Sequence, residues 1–424
     1  MKNLLLSSSA LALIGLYAAP ANAAEWEVVV GGGSTQQFGY AGVDIDGLSD
    51  DEADFDGVDV LSDTEIEFTP SITLDNGIQF GLNVQLEGNT GGDQIDESFA
   101  FVEGAFGRVN IGSENSAGYL MTFAAPCVAL NCHNSGSLTG FVPYSGTPDG
   151  TGVELGADAF RGTLGATFLE NARNNDAQRV TYFTPRFGGV QLGVSYARDD
   201  LQDSSAPVNL GDDTGTVGDF VDVGANYVNS FGSFDVAVSA RYGIAFTDGS
   251  GEDEFSLDLD DDEGEDGIFD SNLDNNPQVF AFGANFGFAG VTIGGSWGEQ
   301  NNAGADDGTV YDVGISYETG PWGVSFSYLH GENVDDGLFT PAFADTDDDG
   351  IDEVISFQPG ADEELDKFVL GINYTLASGV DLGVFGAYVD FEEDFGDGSI
   401  IGVSETDGDA IDGFVVGTGF SLSF

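Results

Sequence analysis

Cys127, Cys132 and His133 are the residues whose types and spacing most directly offer chemistry, because they bring thiol and imidazole donors into one short stretch. They include both cysteines of the chain, with four residues between them. Under oxidising conditions such a pair closes a local disulfide. A redox or metal centre that also uses His133 is the sharper alternative, but a tetrahedral metal would need a fourth donor that this neighbourhood lacks. A second candidate is Asp345-Thr346-Asp347-Asp348-Asp349-Gly350, where Asp345, Asp347 and Asp349 place oxygen donors at alternate positions before a glycine turn, as at the start of a calcium loop. Position twelve of that loop is Ser356, where an EF-hand has glutamate. The stretch is therefore read as an acidic loop able to bind Ca2+ loosely, with a plain solvated acidic rim as the other reading. No cofactor is required by any motif.

Catalytic readings find little support. Of the two histidines, His133 lies beside Cys132 of the cysteine pair and His330 at a strand end, and no nucleophile is partnered to either for catalysis. Past the first few residues the only lysine is Lys367, and no glycine-rich turn precedes it, so a phosphate-cradling loop is excluded too. The chain is expected not to be an enzyme.

The elements that must position these residues are strands. From Ile78 to Glu87, Ile78, Phe80, Leu82, Val84 and Leu86 alternate with Gln79, Gly81, Asn83, Gln85 and Glu87, giving one apolar and one polar face. The same period of two recurs at Glu65 to Leu74, Val190 to Tyr196, Val221 to Tyr227, Phe234 to Ile244, Phe280 to Phe288, Val291 to Trp297, Tyr311 to Tyr317, Trp322 to Tyr328, Phe368 to Tyr374 and Leu382 to Tyr388. Strands near Trp26 to Tyr40 and Ile95 to Phe106 alternate poorly. Tight turns at Asp75-Asn76-Gly77, Phe187-Gly188-Gly189, Ser230-Phe231-Gly232, Ala289-Gly290, Thr319-Gly320-Pro321 and Ser378-Gly379 take turns with long acidic connections. One rim thus carries turns and the other loops. About sixteen strands of bilayer-crossing length result, an all-β transmembrane antiparallel β-barrel, with eighteen as the other count. Tyr227, Tyr317, Trp322 and Tyr374 fall beside the short turns, and Tyr196, Tyr242, Trp297, Tyr328 and Tyr388 beside the long loops, as two aromatic girdles would.

Charge and chain ends agree with that architecture. Lys+Arg 9 against Asp+Glu 74 gives a net charge of -65, which repels nucleic acid and attracts cations. The acids crowd into Asp44 to Asp59, Asp253 to Asp270, Asp345 to Glu353 and Glu392 to Asp397, between strands that are nearly free of charge. Lys2, an apolar stretch from Leu4 to Ala19 and the small residues Ala21-Asn22-Ala23 read as a signal peptide over residues 1–23, leaving 24–424 as the barrel. The last strand ends Phe420, Leu422, Phe424 at alternate positions, a terminal aromatic pattern that looks like the insertion signal of outer-membrane barrels.

At this point the chain resembles the general diffusion porins of Gram-negative outer membranes, in particular the alphaproteobacterial, Rhodobacter-like type. Gly107-Arg108-Val109-Asn110-Ile111-Gly112-Ser113-Glu114 looks like that family's fifth strand entering its long third loop, and Asn174 to Gly189 like the strand and turn that follow. The resemblance implies a homotrimer in the cell outer membrane, inserted by the barrel assembly machinery. Each subunit would be surrounded by lipid and would pass ions and small solutes through a lumen narrowed by an inward third loop. On its own terms the stretch from Asn115 to Gln178 fits such a loop. It is long, weakly strand-like and rich in packable residues such as Tyr119, Leu120, Met121, Phe123, Leu138, Phe141, Val142 and Tyr144.

Strand parity puts Arg108, Asn110, Arg179, Arg241 and Lys367 on the polar face, as candidates for the wall of a pore constriction. Asp149, Glu154, Asp158 and Glu170 are the loop residues that would face them. For each basic residue, simple neutralisation of a nearby carboxylate in the wall is an equal reading. The rest of the polar face is Gly, Ser, Thr, Asn and Gln with scattered carboxylates, which predicts passive diffusion with a cation preference. A substrate-selective channel of the same shape and a secreted calcium-dependent all-β binding protein are the alternatives.

Overall fold

The computed structural model describes residues 25–45, 55–89, 94–144, 161–202, 216–248, 276–302, 307–333, 340–344, 353–358, 362–394 and 410–424. The predicted leader over 1–23 lies outside them. In chain order the strands are β1 (Glu27–Ile45), β2 (Gly57–Thr73), β3 (Gln79–Glu87), β4 (Ile95–Gly104), β5 (Gly107–Ser113), β6 (Gln178–Phe183), β7 (Val190–Ala197), β8 (Thr216–Phe231) and β9 (Phe234–Asp248). They continue as β10 (Gln278–Phe288), β11 (Val291–Asn301), β12 (Gly308–Thr319), β13 (Trp322–Asn333), β14 (Thr340–Ala344), β15 (Glu353–Gln358), β16 (Asp362–Ala377), β17 (Val380–Asp394) and β18 (Ala410–Ser423). Sixteen of these close into one antiparallel barrel, each next to its sequence neighbour, while β14 and β15 pair only with each other in the connection between β13 and β16. β1 zips to β18 from Gly33 opposite Ser423 to Ile45 opposite Ile411, so no sheet edge is left to meet lipid.

The predicted short turns are where the backbone reverses. Gly77 at φ +81 and Gly379 at φ +74 occupy the left-handed region that a residue with a Cβ resists. The expected outward face is apolar: along β12, Tyr311, Val313, Ile315 and Tyr317 are exposed while Asp312, Gly314 and Ser316 are buried inward. The aromatic girdles form by cross-strand contact, with Trp322 and Tyr374 at 4.6 Å on the turn side and Tyr328 and Phe368 at 4.7 Å on the loop side.

The poorly alternating segments are strands for identifiable reasons. β1 carries Gly31-Gly32-Gly33, which shows no face at all, and then the polar outward residues Ser34 and Gln36. β4 turns Phe99 and Phe101 into the lumen, where Arg108 stacks over the Phe101 ring at 4.1 Å.

Past β5 the chain runs into the barrel and follows the inner wall around it. A short helix α1 (Ala117–Met121), capped by the Ser116 hydroxyl, starts the circuit against β7 to β9. The Ala117 N–H donates to Ser195 Oγ (3.1 Å), Phe123 N–H to Ser239 Oγ (2.9 Å), Ala125 N–H to Asp312 Oδ1 (3.1 Å) and Val128 N–H to Ser325 Oγ (2.9 Å). Asn131 Nδ2 then donates to Gln37 Oε1 on β1 at 3.3 Å. Wall glycines let the backbone come this close: a Cβ at Gly283 would strike the Phe123 carbonyl, and one at Gly371 the Ala129 backbone.

The inner face differs from the mostly polar one expected. On β16, β17, β18 and β1, the inward residues Leu365, Val369, Phe385, Val389, Phe391, Ile411, Val415, Ala41 and Ile45 form a dry core with Leu138, Phe141, Val142, Tyr144 and Leu164 of the inward segment. One side of the lumen is packed like a protein interior. The inward segment supplies the hydrophobic partners that water would otherwise deny this wall.

Candidate functional site

Arg241 on β9 organises the return leg of the inward segment. Its Nε donates to Asp222 Oδ2 on β8 at 2.7 Å, and its Nη2 donates to Glu170 Oε2 at 3.0 Å and Ser116 Oγ at 2.9 Å. Nη1 donates to the Leu169 carbonyl. Glu170 accepts further from Ser116 N–H (2.8 Å) and Ser116 Oγ (2.7 Å), so a buried carboxylate and a buried guanidinium saturate each other. Among the described residues predicted on opposite sides of a constriction, Arg241 and Glu170 are the pair that the structure brings together.

Asp312 on β12 is a second anchor, and sequence reasoning missed it. Its carboxylate accepts from Asn134 Nδ2 (2.6 Å), Ser296 Oγ (2.8 Å), Thr167 Oγ1 (3.2 Å) and the Ala125 N–H, and it lies 3.0 Å from His133 Nε2. Both legs of the inward segment are thereby tied to one wall residue. The only signal was an aspartate at an inward position between Val310 and Gly314, in a chain crowded with acids. Cys127 and Cys132 are joined as a disulfide with Cα atoms 6.0 Å apart. The thiolates of the metal alternative are thus consumed, and His133 serves Asp312.

The other predicted wall residues also face inward, each already engaged. Lys367 is buried, donates to the Gly165 carbonyl at 2.6 Å and sits 5.4 Å over the Tyr144 ring. Arg179 donates to the carbonyls of Asn174 and Ala177 where the segment leaves for β6. Arg108 donates from Nε to Asn110 Oδ1 at 2.8 Å and approaches Glu103 at 3.5 Å, while Asn110 Nδ2 donates to Glu114 Oε1 at 2.7 Å. Asp149, Glu154 and Asp158, and the calcium candidates Asp345, Asp347 and Asp349, lie outside the described residues.

Next to the dry core around the barrel, from β2 to β4, the inner wall is acidic and open. β2 presents Asp63, Glu65 and Glu67, β3 presents Glu87, β4 presents Glu97 and Glu103, and Glu114 follows β5. Glu65 stands directly across from Glu87 and Glu67 across from Gln85. Gln85 Nε2 and Asn115 Nδ2 each donate to Glu97 at 2.6 Å. Asp63 is exposed and Glu65, Glu67, Glu87 and Glu103 are half-buried, whereas inward residues on most of the remaining circumference lie covered beneath the inward segment. Burial pushes the Glu114 carboxyl up to about 7, with the Asn110 hydrogen bond and the Arg108 charge pulling the other way. Asp176 is likewise raised by burial, against the opposing charge of Arg161 3.2 Å away.

A family model described as Gram-negative porin matches residues 8–394. Among solved structures, the outer membrane channel DcaP of Acinetobacter baumannii superposes with a TM-score of 0.52 at 13% identity, covering 94% of this chain and 97% of that one, and shares the fold. The anion-selective porin from Comamonas acidovorans gives a TM-score of 0.49 at 15% identity over 94% of this chain and 100% of that one. The trimer form of OmpT from Vibrio cholerae gives 0.48 at 13% identity over 94% and 99%. No curated protein sequence matches the chain.

Proposed function

The chain belongs to the Gram-negative porin family and is an outer-membrane diffusion channel, not an enzyme, and we propose that this channel prefers cations and works as a homotrimer. The observation that carries the cation preference is the solvent-reached wall of β2 to β4. There Asp63, Glu65, Glu67, Glu87 and Glu103 line the lumen, and the nearby guanidinium of Arg108 is spent on Asn110, Glu103 and the Phe101 face. A low-dielectric wall carrying one sign of charge concentrates counter-ions and repels co-ions. Arg179, Arg241 and Lys367, the other cations predicted for the wall, are buried against the inward segment.

The trimer is supported by the outer surface of β1 and β2. Ser34 Oγ and Thr64 Oγ1 lie 2.8 Å apart, Gln36 Nε2 donates to Ser34 Oγ at 3.0 Å, and Ser62 Oγ donates to Gln36. This polar island is surrounded by exposed Phe38, Tyr40, Val58 and Val60, and polar side chains facing hydrocarbon are costly unless another protein surface covers them. Insertion through the assembly machinery is read from outward Phe420 on the closing strand and exposed Phe424 just past its end. A substrate-selective channel is the second reading, favoured by the dry core that removes part of the lumen from water.

The test is the reversal potential of the purified protein in a planar bilayer under a potassium chloride gradient. A cation-selective potential is expected, with steps in threes. An anion-selective potential would overturn the preference, and steps of single size and number would overturn the trimer.

A further inference from the structure

On the lipid-facing surface, three successive rungs of β13, β16, β17 and β18 differ sharply in chemistry. The rung nearest the long loops is charged: His330 pairs with Asp366, Asp366 with Asp390, and Asp390 with Asp412, which itself stands opposite Asp44 of β1. Below it runs an aromatic rung of Tyr328, Phe368, Tyr388 and Phe414, whose neighbouring rings include Tyr328 and Phe368 at 4.7 Å and Phe368 and Tyr388 at 6.4 Å. The third rung is Phe326, Leu370, Gly386 and Val416, and the missing side chain at Gly386 leaves an apolar hollow of about 280 Å³.

Aspartates placed directly opposite one another across strands repel, so sequences normally avoid such pairs. Here Asp390 and Asp412 pair on the outward face with no cation of the chain beside them in register, while His330, bonded to Asp366 at 3.0 Å and Glu332 at 3.1 Å, serves only one end of the row. Aromatic side chains mark the level where hydrocarbon gives way to head groups. The hollow is therefore at acyl-chain depth and the carboxylates at head-group depth.

We propose that this face binds a lipid whose head group carries an amine, with an acyl chain seated over Gly386 and the ammonium held by Asp366, Asp390 and Asp412. Charge complementarity selects the head group, because the row would repel an anionic one. It also argues against a second copy of the chain here, since two such rows would oppose like charges. A Cβ built at Gly386 meets only the Val415 carbonyl oxygen, at 3.9 Å, so the hollow can be filled without disturbing the sheet.

The test is native mass spectrometry of the full chain taken from micelles containing phosphatidylethanolamine or phosphatidylglycerol. One phosphatidylethanolamine per chain is expected to survive detergent removal, with about tenfold less phosphatidylglycerol. Gly386→Leu and the double change Asp390→Asn with Asp412→Asn should each lower retention by about tenfold. Heat-modifiable gel mobility, checked in parallel, establishes that both variants are folded barrels. Equal retention of the two lipids, or phosphatidylglycerol retention that requires magnesium, would overturn amine recognition. Unchanged retention in a folded Gly386→Leu would overturn the groove, as would loss of subunit association in that variant without loss of lipid.

Discussion

Arg241 Nη2 and Glu170 Oε2 meet at 3.0 Å inside the barrel, both side chains shielded from water, and this ion pair fixes the returning leg of the inward segment to the wall. A guanidinium and a carboxylate that could have stood across a pore as field-setting charges here bind each other. The channel's shape depends on them more than its field does.

Removing one partner should therefore loosen the segment. Arg241→Ala leaves Glu170 and Asp222 buried without their counter-charge and is expected to destabilise the fold by about 3–5 kcal/mol. Glu170→Gln, which keeps an acceptor for Ser116, should cost less. Both should change single-channel conductance as the segment leaves the wall. Thermal unfolding followed by gel mobility, together with bilayer conductance, checks the order; an Arg241→Ala channel of parental size and stability would contradict it.

The acidic wall makes a separate prediction. Changing Glu65, Glu67 and Glu87 together to glutamine should move the reversal potential toward zero while leaving the barrel folded. The difference should be largest in dilute salt, because the Debye length grows from about 8 Å at physiological ionic strength to about 30 Å at 0.01 M. Reversal potentials at both salt concentrations provide the check.

Glu114 gives the wall a pH dependence whose sign is fixed. Its carboxyl titrates near 7 in the folded chain against 4.5 ordinarily, so the folded state holds the proton more tightly than the unfolded one. Burial of this group thus destabilises the fold above pH 7, and the cost disappears as pH falls below the ordinary value. Glu114→Gln should be more stable than the parent at pH 8, by at most about 3 kcal/mol, and indistinguishable near pH 4. Melting temperatures of the two proteins across that range decide it.

Much of the barrel was legible because lipid enforces one face. Alternation at Ile78 to Glu87 or Tyr311 to Tyr317 needs only the sequence, and the tight turns announce themselves by glycine. The dry inner core was not legible. Phe368, Val369 and Leu370 form a continuous apolar run, and nothing local says that Val369 points inward to meet the inward segment. Parity placed Arg241 and loop composition offered Glu170, but their pairing depends on a fold-back of the chain between positions 116 and 170 that has no sequence period. Asp312 carried no mark that set it apart from other acids. The β14 and β15 hairpin was hidden in an acidic connection whose composition reads as loop.

The last prediction asks which device holds the outward leg. The disulfide between Cys127 and Cys132 closes a loop of few residues, so its effect through chain entropy is about 2 kcal/mol. Asp312, by contrast, accepts from Ala125 before the disulfide, from Asn134 after it and from Thr167 on the returning leg. Losing that carboxylate strands several buried donors at once, each at roughly 1–3 kcal/mol. Replacing both cysteines by serine should therefore lower the melting temperature modestly and leave conductance near the parental value, since Val128 N–H still donates to Ser325. Asp312→Ala should lower stability more and change conductance. Should the cysteine variant conduct differently while Asp312→Ala does not, the covalent link and not the carboxylate would be what shapes the channel.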